Sequence, residues 1–324
     1  MLSRIANSMY WMSRYLERAD NTARLLEISL HHMVEAEDVV PEASLWRPLL
    51  SIGESEEAYA ERYPDAEPSA ERVLAFLTDD RGNPVSILSS LRQARENARV
   101  VRDRISKEMW ECLNELWLSL DGQRAGPWPG PHASALYPHL RAEIARFHGL
   151  TVSTMMRGEP FAFYLLGTFS ERADMSARIL DVKYHLLLPD LSLVGSPVDF
   201  YQWAALLKSL SGFDAYRRLY HGDFSPLQVA EFVILEPEFP RSLRFCVDRM
   251  CQALTRIGGC GPESPSGQRV AALQARLSER SAAEVFRTGL HEFLSEFLDA
   301  LAGLGGSLAT EFFETYAGEQ ECIT

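Results

Sequence analysis

The chain has 324 residues, room for two domains or one large helical one, and that length calls for no disulfide or metal staple. Its 46% hydrophobic and 24% charged residues are those of a folded chain and exclude wholesale disorder. A net charge of −13, from 32 Lys+Arg against 45 Asp+Glu, repels a phosphate backbone, so nucleic acid is not an expected partner.

The chain holds 43 Leu and 34 Ala against 16 Val and 10 Ile. Good helix formers thus outnumber β-branched residues about three to one, which predicts an all-α fold. Ile5, Met9, Met12, Leu16, Ala19, Ala23, Leu26, Leu30 and Met33 alternate steps of four and three, one apolar seam on a first long helix. Asn83, followed by Pro84, is the expected N-cap of a second long helix that carries Ile87, Leu91, Ala94, Ala98, Val101 and Ile105 and runs past Trp110 to about Leu120. Residues 121–131, rich in Gly and Pro, read as an irregular connection, with Trp128 either a contact residue or folded back on the core.

From here the chain repeats itself. Glu17-Arg18-Ala19-Asp20 with Ala23-Arg24 recurs as Glu171-Arg172-Ala173-Asp174 with Ala177-Arg178, 154 residues on. Trp46, Leu49, Leu50, Ala58, Tyr59 and Tyr63 recur as Trp203, Leu206, Leu207, Ala215, Tyr216 and Tyr220 at an offset of 157. Val73, Phe76, Pro84 and Ser86 recur as Val229, Phe232, Pro240 and Ser242 at an offset of 156. Blocks kept in order at near-constant spacing predict an internally duplicated helical bundle. Its similar halves, residues 1–157 and 158–324, are expected to pack as one globular unit about a pseudo-twofold axis, with the link near Gly158 to Pro160.

Beside the apolar seam lies a polar stripe, Tyr10, Ser13, Glu17, Asp20, Arg24, Glu27 and His31, matched in the second half by Tyr164, Gly167, Glu171, Asp174, Arg178, Asp181 and His185. Asp20 with Arg24, and Glu27 with His31, are acid-first pairs four residues apart on one helix. If the two helices pack antiparallel, Glu17 meets Arg178 and Glu171 meets Arg24, a buried network that docks the halves. The alternative is a binding or catalytic site for an anionic or peptide substrate. In it Glu17 or Glu171 is the general base, Arg24 and Arg178 clamp a carboxylate, and Arg18, Asp20, Arg172 and Asp174 add contacts. No metal is expected, because the acid-to-histidine spacing is i,i+4 rather than the i,i+3 of di-iron bundles and arginines in the stripe repel a cation.

Arg92, Arg95, Arg99 and Arg102 fall on one face of the expected second helix, either a solvated face or a patch for an acidic partner, with Arg95 and Arg99 as its binding candidates. Phe239-Pro240-Arg241-Ser242 reads as a helix start, its N–H groups available to an anion beside Arg241 or simply capped. No Gly-rich phosphate loop, Gly-x-Ser-x-Gly elbow or His-Glu-x-x-His is present, so no cofactor is implied. With no apolar run of roughly 18 residues, no signal-peptide core and five cysteines lacking a Cys-x-x-Cys pair, the expectation is a cytoplasmic protein with reduced thiols and no membrane association.

The opening Met1-Leu2-Ser3-Arg4, the block from Tyr10 to Ala19, Ala94-Arg95-Glu96-Asn97-Ala98-Arg99 with Trp110-Glu111 and Asn114, Glu171-Arg172-Ala173-Asp174 and Phe239-Pro240-Arg241-Ser242 together resemble the bacterial alpha-E domain family, from Met1 to about residue 300. The resemblance implies a setting beside, or fused to, circularly permuted ATP-grasp proteins, often near transglutaminase-like and proteasome-related hydrolase proteins, and so a role in making or modifying peptide-like amides. Its first implication is a helical accessory partner of an ATP-grasp amide ligase; an enzyme acting on a peptide or aminoacyl substrate, or a self-assembling homo-oligomeric structural protein, are the alternatives. This sequence departs from the family pattern at Thr168, which leaves Arg14 without an equivalent in the second half.

Overall fold

The computed structural model describes residues 1–35, 42–121, 133–187, 197–221 and 224–314, and among them every regular element is helical. The first series is α1 (Ser3–Glu35), α2 (Glu42–Ile52), α3 (Glu56–Arg62), α4 (Ala70–Thr78), α5 (Ile87–Val100), α6 (Lys107–Asp121) and α7 (Ala133–Thr154). It is followed by α8 (Glu159–Leu187), α9 (Pro197–Ser209), α10 (Phe213–Leu219), α11 (Pro226–Leu235), α12 (Leu243–Leu254), α13 (Pro265–Ser278), α14 (Ala282–Thr288), α15 (Leu290–Leu308) and a π-helical turn, Ala309–Phe313. The second series follows the first in order and similar length, 33 and 29 residues for α1 and α8, 14 and 12 for α5 and α12. No helix among the described residues is long and apolar enough to cross a membrane.

α1 runs unbroken because it has no Gly or Pro and a continuous apolar seam: Met9, Met12, Leu16, Ala23 and Leu26 are fully buried. Each of the Met and Leu side chains among them contributes roughly 2 kcal/mol on removal from water. α5 packs on α1 and α12 on α8, while α1 and α8 lie against each other at the centre of one continuous core. At the periphery, Tyr59, Tyr63 and Phe76 hold one another at centroid distances of 5.0, 5.4 and 6.4 Å. Tyr216, Tyr220 and Phe232 do so at 4.8, 5.6 and 6.4 Å.

Two expectations are corrected. The second long helix is two helices: Ser86, not Asn83, caps α5 by accepting from the Ser89 N–H at 3.2 Å, while the Asn83 side chain ties down the preceding turn through the Phe76 carbonyl and the Val85 N–H. The helix stops at Val100 and restarts at Lys107, where the Ser106 hydroxyl accepts from Met109 N–H at 3.2 Å. Short polar side chains that bond their own backbone end helices in this way. The second correction concerns direction. Tyr10 abuts Gly167, Arg14 and Arg18 reach Glu171, and Thr22 shares a cavity with Asp174 and Arg178, so contacting residue numbers rise together and α1 and α8 run parallel, not antiparallel. Trp128 and His185 lie outside the described side chains.

Candidate functional site

Parallel packing puts the two Glu-Arg steps side by side. The helices approach most closely at Gly167, where a Cβ would fall inside the contact radius of the Tyr10 carbonyl oxygen and Ser13 Oγ. Four residues on, Arg18 Nε donates to Glu171 Oε1 at 2.6 Å and its Nη2 to Oε2 at 3.0 Å. Arg172 returns the same fork to Glu17, Nε to Oε1 and Nη2 to Oε2, both at 2.9 Å. The predicted partners, Arg178 for Glu17 and Arg24 for Glu171, therefore lie six residues beyond the observed ones, Arg172 and Arg18, an error that follows from the assumed antiparallel direction.

Each glutamate takes further partners, and here the halves differ. Arg14 Nε donates to Glu171 Oε2 at 2.7 Å, with Arg14 Nη1 near the Tyr10 hydroxyl at 3.4 Å. Thr168, which stands where a matching arginine would, bonds its own helix at the Tyr164 carbonyl. Glu17 is completed instead from two other elements. Arg241 Nη1 donates to Glu17 Oε1 at 3.0 Å and to Asn21 Oδ1 at 2.7 Å, and its Nη2 donates to Asp20 Oδ2 at 3.0 Å. His148 on α7 hydrogen-bonds the Tyr164 hydroxyl and sets Nε2 3.7 Å from Glu17 Oε2. The trio Tyr10, Arg14, Glu171 is thus answered by Tyr164, His148, Glu17.

Both carboxylates are buried, Glu17 at 0% and Glu171 at 1% exposure. Burial alone would raise their pKa, but Arg172 and Arg241 around Glu17, and Arg14 and Arg18 around Glu171, outweigh it and hold both below the ordinary carboxylate range. Burial lowers the His148 pKa against the opposing pull of Glu17, so its ring is neutral near pH 7. Burial also pushes the Tyr164 hydroxyl and the neighbouring Cys246 thiol up, the latter to about 12.

Farther along the helices Asp20 pairs with Arg24, as expected, and Asp174 with Arg178, whose Nη1 also reaches Glu54 at 2.6 Å. Among the described residues Arg24 has no such second acid. Residue 211, which follows α9 as Glu54 follows α2 and shares its left-handed backbone (φ 52° and 49°), is a serine. Arg24 Nε and Nη1 are buried with no acceptor among the described residues, and burial with repulsion from Arg241 and Arg141 lowers its pKa to about 10. Glu27 pairs with Arg141 of α7 rather than with His31, which is exposed.

Beside Glu171 lies a cavity of about 210 Å³ whose lining includes Glu171, Asp174, Arg18, Arg178, Glu54 and Val85. Arg95 and Arg99 lie elsewhere: Arg95 donates to Asn114 Oδ1 at 2.8 Å and stacks on Trp110, and Arg99 pairs with Glu96 in the open. Arg102 is in the turn after α5, so the basic face is interrupted, and it too stacks on Trp110. Arg241 joins the centre by binding acids, and the helix start beside it is capped by Ser242, not offered to an anion. His148 and Arg141 were missed because α7 carries no motif that repeats. Among the described residues no group of His, Cys, Asp and Glu gathers as a metal cage.

Compared with known proteins, residues 1–313 match the Alpha-E family model, described as a predicted alpha-helical domain with a conserved ER motif. Uncharacterised proteins of Mycobacterium bovis and Mycobacterium tuberculosis are 25% identical over 318 residues, covering 94% of this chain and 35% of theirs. The chain thus spans about a third of the length of these curated relatives. No solved structure matches it. The chain belongs to the Alpha-E family.

Proposed function

We propose that this Alpha-E chain is a helical accessory module acting beside a circularly permuted ATP-grasp amide or peptide ligase, in the synthesis or modification of a peptide-like molecule. The observation that carries the reading is the chemistry of the two glutamates. A general base needs a pKa near the working pH, whereas guanidinium forks hold Glu17 and Glu171 ionised, below the ordinary carboxylate range. Such groups hold helices in register. In this reading the halves are copies of one helical unit, and the Glu17-Arg18 and Glu171-Arg172 steps are the family's ER motif, each glutamate answered by the arginine of the other copy. The match to a third of much longer relatives supports a module that works with further polypeptide. Free Cys112, Cys246, Cys251 and Cys260 support a reducing, cytoplasmic setting.

Co-expression with a circularly permuted ATP-grasp protein encoded nearby, followed by size exclusion, tests the reading. One co-eluting complex is the expected result, and separate elution of the two chains at every salt concentration overturns it. A second reading, an enzyme for a peptide or aminoacyl substrate, is favoured by one observation: His148 is neutral, a quarter exposed, and beside the Tyr164 hydroxyl and Glu17. On that reading Glu17→Gln abolishes turnover while the melting temperature stays nearly unchanged; on the first, stability falls.

A further inference from the structure

The two sides of the central helix pair are built from corresponding residues, but only one is plugged. Around Glu17, Asp20 and Asn21, Arg241 enters from the start of α12 and its guanidinium meets all three acceptors within 3.0 Å. The residues 154 positions on are Glu171, Asp174 and Met175, and all three line the 210 Å³ cavity. The residue 156 positions before Arg241 is Val85, which also lines it. Where one side carries a long cationic side chain, the other carries a short apolar one and an open space of several water volumes, at about 30 Å³ each.

Resting on the reading of the halves as copies, we propose that this cavity binds an alkylguanidinium group, the chemistry Arg241 supplies on the other side. Three features select a cation. The lining carries three acids, Glu54, Glu171 and Asp174, against two arginines, and the third guanidinium on these acids, Arg14, holds Glu171 from outside the lining. Both arginines are spent: Arg18 forks onto Glu171, and Arg178 spans Asp174 and Glu54. An anion therefore finds no free donor fork, whereas a guanidinium finds acceptors. Glu171 Oε1 accepts from Arg18 Nε, while its counterpart Glu17 Oε1 accepts from both Arg172 and Arg241, so Glu171, which lines the cavity, has one acceptor position more to offer. Leu25, Leu49, Ile52 and Leu77 supply apolar wall for the alkyl stem. Met175 in place of Asn21 removes one acceptor, and Glu54 in place of Ser211 adds another.

Two sources share this chemistry, a free guanidine metabolite and an arginine side chain in a peptide. The test is calorimetric titration of the full chain with agmatine and, separately, with an end-capped Gly-Arg-Gly peptide. Saturable binding of at least one is expected; agmatine alone marks a small-molecule site and the peptide alone a side-chain site. Val85→Arg should fold, raise the melting temperature by filling the cavity, and abolish binding. Glu54→Gln, at an exposed position, should weaken it about tenfold, the worth of one charge-assisted contact. Binding that is unchanged in Val85→Arg overturns the proposal. A crystal structure of that variant separates its failure from that of the underlying reading. An introduced guanidinium seated on Glu171 and Asp174, with no binding by the wild-type chain, sinks the ligand alone, whereas an introduced side chain turned to solvent sinks the equivalence of the halves as well.

Discussion

Arg172 and Arg24 are both arginines on the central helix pair and both meet an acid, yet their environments predict opposite outcomes on removal. Arg172 gives Glu17 two bonds in a site where Glu17 is wholly buried. Arg172→Met removes that fork and leaves the buried charge to Arg241 alone, which should cost about 3 kcal/mol in urea unfolding. Arg24 keeps one partner, Asp20, which Arg241 also serves, and leaves two buried donors unmet. Arg24→Met removes those orphans with the ion pair, so its net effect should stay within about 1 kcal/mol. Acid unfolding follows from the same residues. The folded-state pKa values of His148, Glu17 and Glu171 all lie below their ordinary values, so the unfolded chain binds protons first and stability falls as pH falls. The loss should begin below about pH 6.5 through His148, which faces Glu17, Arg172, Asp20, Arg241 and Tyr164, and steepen below about 4.5 through the carboxylates. In His148→Gln the first limb disappears from the stability profile while the second remains.

At the scale of elements, direction decides everything. The 154-residue offset is visible in the sequence, and so is the seam of α1; what no period reveals is whether two equivalent helices run parallel or antiparallel, because both bury the same faces. Gly167 holds the one clue. A glycine at the position matching Ser13 marks where the backbones touch, and the contacts on either side of it, whose residue numbers rise together, make the pair parallel. Gly167→Ala drives a methyl into the Tyr10 carbonyl and Ser13 and should cost about 2–3 kcal/mol. Gly149→Ala, where an added methyl meets nothing, should instead stabilise α7 by up to about 1 kcal/mol. Paired thermal melts of the two variants check the contrast. The break between α5 and α6 was hidden because Ala94, Ala98, Val101 and Ile105 keep helical spacing across it, and only the capping hydroxyl of Ser106 gives it away.

Over the whole molecule, the all-α class, the seam and the burial of the Glu-Arg steps were legible from composition and repeated spacing. The partners of those steps were not, since Arg241, His148 and Arg141 reach the centre from helices far away in sequence. On the proposed reading of the halves as copies, Thr168, Val85 and Ser211 are the informative positions: each lacks a charged group that the other half supplies, and among the described residues they go with a borrowed histidine, an open cavity and an orphaned guanidinium. The central claim is that reciprocal Glu-Arg pairs lock a parallel helix pair. A double-mutant cycle on Glu17→Gln and Arg172→Met, read by urea unfolding, tests it most directly. A coupling of about 2 kcal/mol is expected; single effects that add to within about 0.5 kcal/mol would contradict it.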